Sequence, residues 1–221
     1  MEALIHSIQV GKTREFPCES DSTSKRLQTT KPWSSAIIKE PVSGPVRVSA
    51  HGLDGDQQSD RESHGGVDKA VLCYGLEHYR KWNEIYPLCG FNPGGFGENL
   101  TLSGLTEREV CVGDQWEASG VVFEISQPRQ PCWKLAKRWG IKELVRQVTE
   151  LTNPGWYCRV IKPGAVSAGS TISLIARPFP NWSVHRLLEM LFQGRVSEEG
   201  RVDLEELLPL SEAYRSDLLR G

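Results

Sequence analysis

Several features that would fix the class of a protein are missing from this chain. No stretch approaches the ~18 uninterrupted apolar residues of a membrane-spanning helix, which excludes one. The N-terminus, Met1-Glu-Ala-Leu-Ile-His-Ser7, has no basic region and no long apolar core, so no secretory signal is expected. An excess of charge is absent too: 26 basic against 28 acidic side chains leave a net charge of −2. That excludes a strong bulk attraction to nucleic acid or to an anionic membrane, and leaves room for a local basic pocket. The six cysteines (Cys18, Cys73, Cys89, Cys111, Cys132, Cys158) contain no C-x-x-C pair. In a chain of this size they read as reduced thiols in the cytoplasm, not as a disulfide framework or a zinc site. No G-x-G-x-x-G follows a strand and no cysteine cluster could hold iron–sulfur, so the chain carries no redox cofactor motif of those kinds. Asp54-Gly-Asp56 has no glutamate closing a calcium loop, and the carboxylates are too scattered to nominate a glycosidase pair. No internal repeat is evident.

The length of 221 residues suits one substantial domain plus a small appendage. Apolar residues at 38% and charged residues at 24% are ordinary for a folded chain with a sizeable core. With 21 glycines and 13 prolines, short strands joined by many turns are expected. Period-two runs rich in Val, Ile and Thr mark strands at Leu4–Val10, Ala36–Val42, Val46–Val48, Ala70–Tyr74 and Asn99–Leu102. Others fall at Glu109–Val112, Val121–Ser126, Trp156–Ile161 and Thr171–Ile175. Such a series suggests a barrel or sandwich. Two helical stretches interrupt it: Leu76–Tyr86, ended by Pro87, and Cys132–Leu151, ended by Asn153-Pro154-Gly155. A linker follows at Arg177–Trp182. Ser183 is placed to cap a helix over Val184–Phe192, and apolar-periodic pieces recur at Leu204–Leu208 and Ser211–Leu219. Three such helices are too few for an independent core, so they pack on the barrel or meet a partner. Glu19–Lys31 is polar and reads as a mobile surface loop.

Three stretches can carry chemistry. In Ser126-Gln-Pro-Arg-Gln-Pro-Cys132-Trp-Lys-Leu135, two prolines stiffen a turn between strand and helix. Cys132 falls at the helix start, near Arg129 and Lys134. Backbone N–H groups and positive side chains there favour a thiolate, which suits a transition metal or a nucleophile. The competing reading is a small buried hydrophobe, the commonest fate of a cysteine and the one expected for the other five. His51–Ala70 packs two histidines and four aspartates around Gly65-Gly66, where close backbone approach and an anion nest are available. Lys69 opens the following strand and can point at a phosphate or carboxylate. The alternative is a surface loop with ordinary turn residues. In Pro93–Leu100, Glu98 and Asn99 stand at a strand mouth; Asn99 offers both donor and acceptor, and a plain glycine turn is the alternative. Trp133, Trp139, Trp156 and Trp182 read as core or interface aromatics, not as a base-stacking platform.

Taken in order, the motifs resemble the MOSC family, named for the C-terminal domain of molybdenum-cofactor sulfurases, and its stand-alone YiiM-type bacterial members. The matching pieces are Val10-Gly-Lys12, Gly52-Leu-Asp-Gly-Asp-Gln57, His64-Gly-Gly-Val-Asp-Lys69, Phe96-Gly-Glu-Asn99, Val112-Gly-Asp114 and Ser126–Leu135. The resemblance implies a mainly β fold with helices (α+β): a MOSC-type β-barrel over residues 1–177, then a three-helix appendage over 182–221. It implies a molybdenum cofactor of molybdopterin type, with molybdenum ligated by Cys132. Lys12, Lys69, Asn99 and Arg129 occupy cofactor-binding motif positions, and His64 is suited either to that pocket or to proton relay. Reductases of this family, similar to the mitochondrial amidoxime-reducing component, act on N-hydroxylated compounds, and the YiiM type is associated with hydroxylaminopurine detoxification. The expected substrate is therefore a small N-hydroxylated base or amidoxime, with no nucleic-acid polymer or membrane as partner. An external electron-donor protein of flavin type is expected to recharge the metal. A homodimer is compatible with the sequence.

Two other functions stay open on the sequence. One is a cofactor carrier or sulfur-delivery module without turnover. The other is a metal-free cysteine hydrolase built from Cys132, His64 or His51, and an orienting aspartate.

Overall fold

The structure, a computed structural model, describes residues 1–17, 32–60, 65–193 and 204–220. The expected loop at Glu19–Lys31 and the candidate residue His64 lie outside them.

Among the described residues thirteen strands form: β1 (Glu2–Val10), β2 (Arg14–Phe16), β3 (Trp33–Ser35), β4 (Glu40–Pro41), β5 (Val46–Ser49), β6 (Gly52–Leu53), β7 (Val71–Gly75), β8 (Leu100–Ser103), β9 (Gln115–Ala118), β10 (Val121–Pro128), β11 (Trp156–Lys162), β12 (Gly164–Val166) and β13 (Thr171–Ala176). They run β13-β9-β10-β11-β7-β8-β1-β4, and β13 also pairs with β1, which closes seven of them into a barrel with β4 beside it. Closure removes the edges that an open sheet would expose. Within the barrel only β7 and β8 pair in parallel. The others are antiparallel, and a short turn joins β9 to β10. The expected α+β class with a barrel is what forms.

Alternation along the strands builds the core. On β10, Val121, Phe123 and Ile125 point inward, as do Trp116 and Ala118 of β9 and Trp156 and Cys158 of β11. Strand β7 is buried on both faces. Val71 and Cys73 enter the barrel cluster, and Tyr74 joins a second cluster outside it. That second cluster lies under three helices: α1 (Glu77–Ile85), α2 (Trp133–Trp139) and α3 (Leu144–Glu150). Helix α1 buries Tyr79 and Trp82 and ends with the Tyr86 N–H bonded to Trp82 O, before Pro87.

Three expectations need correcting. The helix read across Cys132–Leu151 is two helices, because Gly140 takes a left-handed conformation at φ 65° and ends α2. The apolar spacing of Leu135, Trp139, Leu144 and Val148 runs through that break and conceals it. The strand read at Ala36–Val42 shrinks to β4. Residues 36–39 pair with no strand and pass close to Gly11, where a Cβ would sit 2.5 Å from Ala36 O, so glycine is what permits the approach. The strand read at Glu109–Val112 is a turn, held by the Cys111 N–H on Asp114 Oδ2 at 2.9 Å and joined to the segment before α4 by a Cys111–Ser183 bridge.

Beyond the linker, α4 (Val184–Gln193) starts with the expected cap, the Arg186 N–H donating to Ser183 Oγ at 3.1 Å. Residues 204–206 are helical, and α5 (Glu212–Arg220) follows. Leu187, Leu188, Leu204, Leu207, Leu210, Tyr214 and Leu218 all join the barrel's apolar cluster, so these helices pack on the barrel. Arg177 fastens the linker by a two-pronged ion pair to the fully buried Asp114. No helix among the described residues is long and apolar enough to cross a membrane.

Candidate functional site

The site forms where β10 leaves the barrel. Opposite β11, Ile125 faces Cys158 and Gln127 faces Tyr157, so Ser126 is the extra residue of a β-bulge. Its hydroxyl lies between Asp68 O and Tyr157 O, tying three segments at one point. The bulge turns the strand outward into Arg129-Gln-Pro-Cys132. Arg129 is buried; its backbone N–H donates to Gly155 O at 3.0 Å and its Nη1 to Pro154 O at 3.3 Å. Gly155 sits at φ 91°, and a Cβ there would lie 2.4 Å from Cys73 O, so only glycine fits.

Cys132 is half-buried, is not disulfide-bonded, and stands as the N-cap of α2 in an extended conformation (φ −102°, ψ 164°). Its side chain makes no capping bond to the helix. It lines a cavity together with Lys39, Lys69, Arg129, Lys134 and Asn99. Four cationic side chains against two aspartates, Asp56 and Asp60, leave the lining locally basic on a chain of net charge −2. Leu72 of β7 and Tyr157 of β11 are register partners and form the apolar floor.

Four expected site residues, Cys132, Lys69, Asn99 and Arg129, are therefore brought to one cavity. Lys69 reaches it from a 3₁₀ turn, Val67–Lys69, just before β7; burial lowers its pKa, against Asp217, Asp68 and Asp60. Lys12 is exposed and does not line the cavity. His51 borders an adjoining polar cavity with Thr13, Asp56, Gln57 and Gln58; the last three also line the Cys132 cavity, whereas His51 does not.

Asn99 proves to be occupied. Its Oδ1 accepts the Leu72 N–H at 3.1 Å, and its Nδ2 donates to Asp56 Oδ2 at 2.9 Å and to Gln9 O at 3.4 Å. With both donors used, it holds Asp56 in place. Asp56 also accepts the Gly11 N–H at 2.7 Å and the Lys39 ammonium at 2.5 and 2.6 Å. Lys39 and Asp56 are each only 7% exposed at the side chain, a buried ion pair completed by two further donors. Burial pulls the Lys39 pKa below its ordinary value, and Asp56 opposes that shift.

The sequence reading missed Lys39. The available signal was a single charge ending the apolar run Ala36-Ile37-Ile38. Glu98 is also placed differently from a ligand-facing carboxylate. It is fully buried and accepts from the Tyr79 hydroxyl (2.5 Å), the Gly94 N–H (2.7 Å), the Phe96 N–H (3.2 Å) and the Thr101 hydroxyl (2.8 Å). It organises the glycine loop behind the cavity. Trp156 and Trp182 are core aromatics as expected, but Trp133 is 49% exposed, edge-on to Trp33 at 5.3 Å; Trp33 in turn stacks on Phe16 at 4.1 Å.

The chain is similar to several known proteins. The MOSC domain model matches residues 60–173. The Bacillus subtilis protein YflK is 36% identical over 222 residues, 97% of this chain and 92% of that protein. YiiM of Escherichia coli is 36% identical over 172 residues, 70% of this chain and 77% of YiiM. A protein of Gibberella moniliformis named "Reductase" is 36% identical over 167 residues, which are 74% of this chain but 30% of that longer protein. The crystal structure of YiiM from Geobacillus stearothermophilus superposes with a TM-score of 0.79 at 30% identity, covering 99% of this chain and 98% of that one.

Proposed function

The chain belongs to the MOSC domain family, and on that premise we propose that it holds a molybdopterin-type molybdenum cofactor through Cys132 and reduces small N-hydroxylated compounds, recharged by a separate electron-donor protein. The observation that carries the reading is one thiol and four cations, Lys39, Lys69, Arg129 and Lys134, on the wall of one cavity. The residues fit such a group. Among the described residues no cluster of three or more His, Cys, Asp or Glu could hold a bare metal. A pterin cofactor brings its own sulfur ligands and a phosphate, so it asks of the protein one soft ligand and a positive field.

When bound, the cofactor supplies the two electrons that cleave the N–O bond; R–NH–OH and two protons then give R–NH2 and water. The chain's own groups do the rest. Cys132, fixed at the turn by Arg129's bonds to Gly155 and Pro154, presents its sulfur to the cavity. Lys69, Arg129 and Lys134 hold the phosphate. Asn99 acts through Asp56, which keeps the Lys39 ammonium on the wall. Lys39, its pKa drawn down by burial, can give a proton to the departing oxygen. His64 is assigned as the second proton carrier on its motif position, since imidazole titrates near neutrality.

The test is molybdenum and pterin content of protein purified from a cofactor-competent host, beside Cys132→Ala. The expected result is near-stoichiometric molybdenum in the wild type and none in the variant. Loaded wild type should then consume an N-hydroxylated purine when given a reduced flavoprotein. Bound molybdenum without turnover would leave a carrier; no molybdenum after reconstitution would overturn the reading.

A further inference from the structure

Helix α5 sets a carboxylate, Asp217, beside Gln130, a residue that lines the cavity. The helix begins at the buried Ser211, whose hydroxyl donates to Gln127 Oε1 at 2.6 Å and accepts the Tyr214 N–H at 3.2 Å. The Ser211 N–H donates to Ser126 O at 3.1 Å. One serine thus caps the helix and ties its first turn to the bulge that leads into Arg129 and Cys132. Tyr214 and Leu218, buried in the barrel cluster, fix the helix's rotation. Asp217, one residue before Leu218, emerges on the flank facing Gln130, whose Nε2 donates to Asp217 Oδ2 at 3.3 Å. Gln130 and Lys69 both line the cavity, and Asp217 is the foremost carboxylate opposing the effect of burial on Lys69.

Neighbouring carboxylates are engaged within the protein. Asp56 holds Gly11, Lys39 and Asn99, and Asp68 accepts from Arg159 at 2.5 Å. The contacts of Asp217 are thinner: Gln130, and Arg220 at 3.9 Å, with 43% of the side chain exposed. A carboxylate offers about four acceptor sites, so Asp217 keeps capacity for a ligand.

We propose that Asp217 is a specificity-determining residue, selecting compounds that present N–H and O–H donors, such as amidine-like N-hydroxylated substrates and their amine products, over anionic ones. Outside the Lys39–Asp56 pair, Lys69, Arg129 and Lys134 outnumber Asp60 on the lining and would by themselves favour a small anion. A carboxylate beside Gln130 reverses that preference for the part of the ligand outside the phosphate region, and meets a donor pair with charge-assisted bonds. The helical tail then completes the site. This rests on the reading of the cavity as the cofactor and substrate site.

The experiment is calorimetric titration of cofactor-loaded protein with benzamidine, benzamide and benzoate, which share a ring and differ in head-group charge. Wild type should bind benzamidine tightest and benzoate weakest. Asp217→Asn should weaken benzamidine about tenfold relative to benzoate, with the melting temperature unchanged, and Asp217→Glu should restore the order. An order that persists in Asp217→Asn, or no benzamidine binding by wild type, overturns the proposal. Turnover of benzamidoxime by the same preparations separates the two claims. Charge-ordered binding without turnover removes the reductase reading and supports Asp217; turnover with a binding order indifferent to Asp217 removes this inference alone.

Discussion

Strands β7 and β11 carry two chemistries on their two faces. Toward the cavity they present Leu72 and Tyr157, beside Cys132 and the wall of cations. Toward the barrel they present Cys73 and Cys158, whose sulfurs lie 3.8 Å apart among apolar side chains. The hydrogen bond to Cys158, followed by burial, pushes the Cys73 thiol well above its ordinary value of 9.0. Cys132 stands instead at a turn, half-buried, with cations around it. The same side chain is thus a packing group on one face and a ligand candidate beside the other. What separates them is position on a strand or at its exit, and residue type alone decides nothing.

The sharpest way to break that comparison is to exchange the fates of the thiols. Cys132→Ala should lose bound molybdenum, and with it turnover by at least about a hundredfold, more than an outer-shell change would cost. Cys73→Ala should keep both. Metal analysis and steady-state rates on the two variants check this, and molybdenum retained in Cys132→Ala would erase the distinction. The next largest effect lies on the cavity face. Asp56→Ala leaves the Lys39 ammonium buried without its partner, which should cost about 3–5 kcal/mol in denaturant unfolding. Asp56→Ala together with Lys39→Met should recover much of that loss, because the uncompensated charge is then gone.

On the barrel face the expected effect is smaller. Cys73→Ser places a hydroxyl against the Cys158 sulfur within the apolar cluster, and should cost about 1–3 kcal/mol without touching molybdenum content. A large loss of metal in this variant would mean that the two faces are coupled through the strands.

The sequence carried the thiol side of this contrast more clearly than the cation side. Two prolines and a strand-to-helix switch singled out Cys132 locally, and the period-two run of Val121–Ser126 gave the strand that delivers it. Lys39 was hidden because its partner, Asp56, is 17 positions away and meets it only after β4 folds along β1. Asn99 was singled out correctly as a cavity residue, but its bonding could not be read. Its amide is consumed by Leu72, Gln9 and Asp56, contacts that exist only in the closed barrel. The two- and three-residue strands β2, β3, β6 and β12 are too short for alternation to register. Ser211 looked like the start of a short helix; its bond to Gln127, which carries the tail to the site, spans 84 residues.

The mildest probe uses pH, because the buried tyrosines and thiols respond to it with the opposite sign to the buried lysines. Burial, with Glu107 or Glu98 adding to it, raises Tyr74 and Tyr79, and burial raises Tyr157 and Tyr214 as well, all above an ordinary value of 10.0. Cys73 is raised above 9.0. Above those ordinary values the unfolded chain has released these protons and the folded chain has not. The stability they contribute is complete below the unfolded value and is lost as pH rises, by about 1.4 kcal/mol per unit for each group. Lys39 works the other way. Its folded pKa is below 10.5, so between the two values the unfolded chain holds the extra proton and stability rises with pH. Lys69 is lowered in the same way, and Cys111 is raised above 9.0 by burial. Two thiols and four tyrosines against two lysines predict unfolding free energies that fall past pH 10, where the tyrosines join the thiols. Urea titrations from pH 8 to about 11 check this. Stability that holds or rises past pH 10 would show the two lysines outweighing the six acidic groups, and would place the dominant alkaline linkage at the cavity.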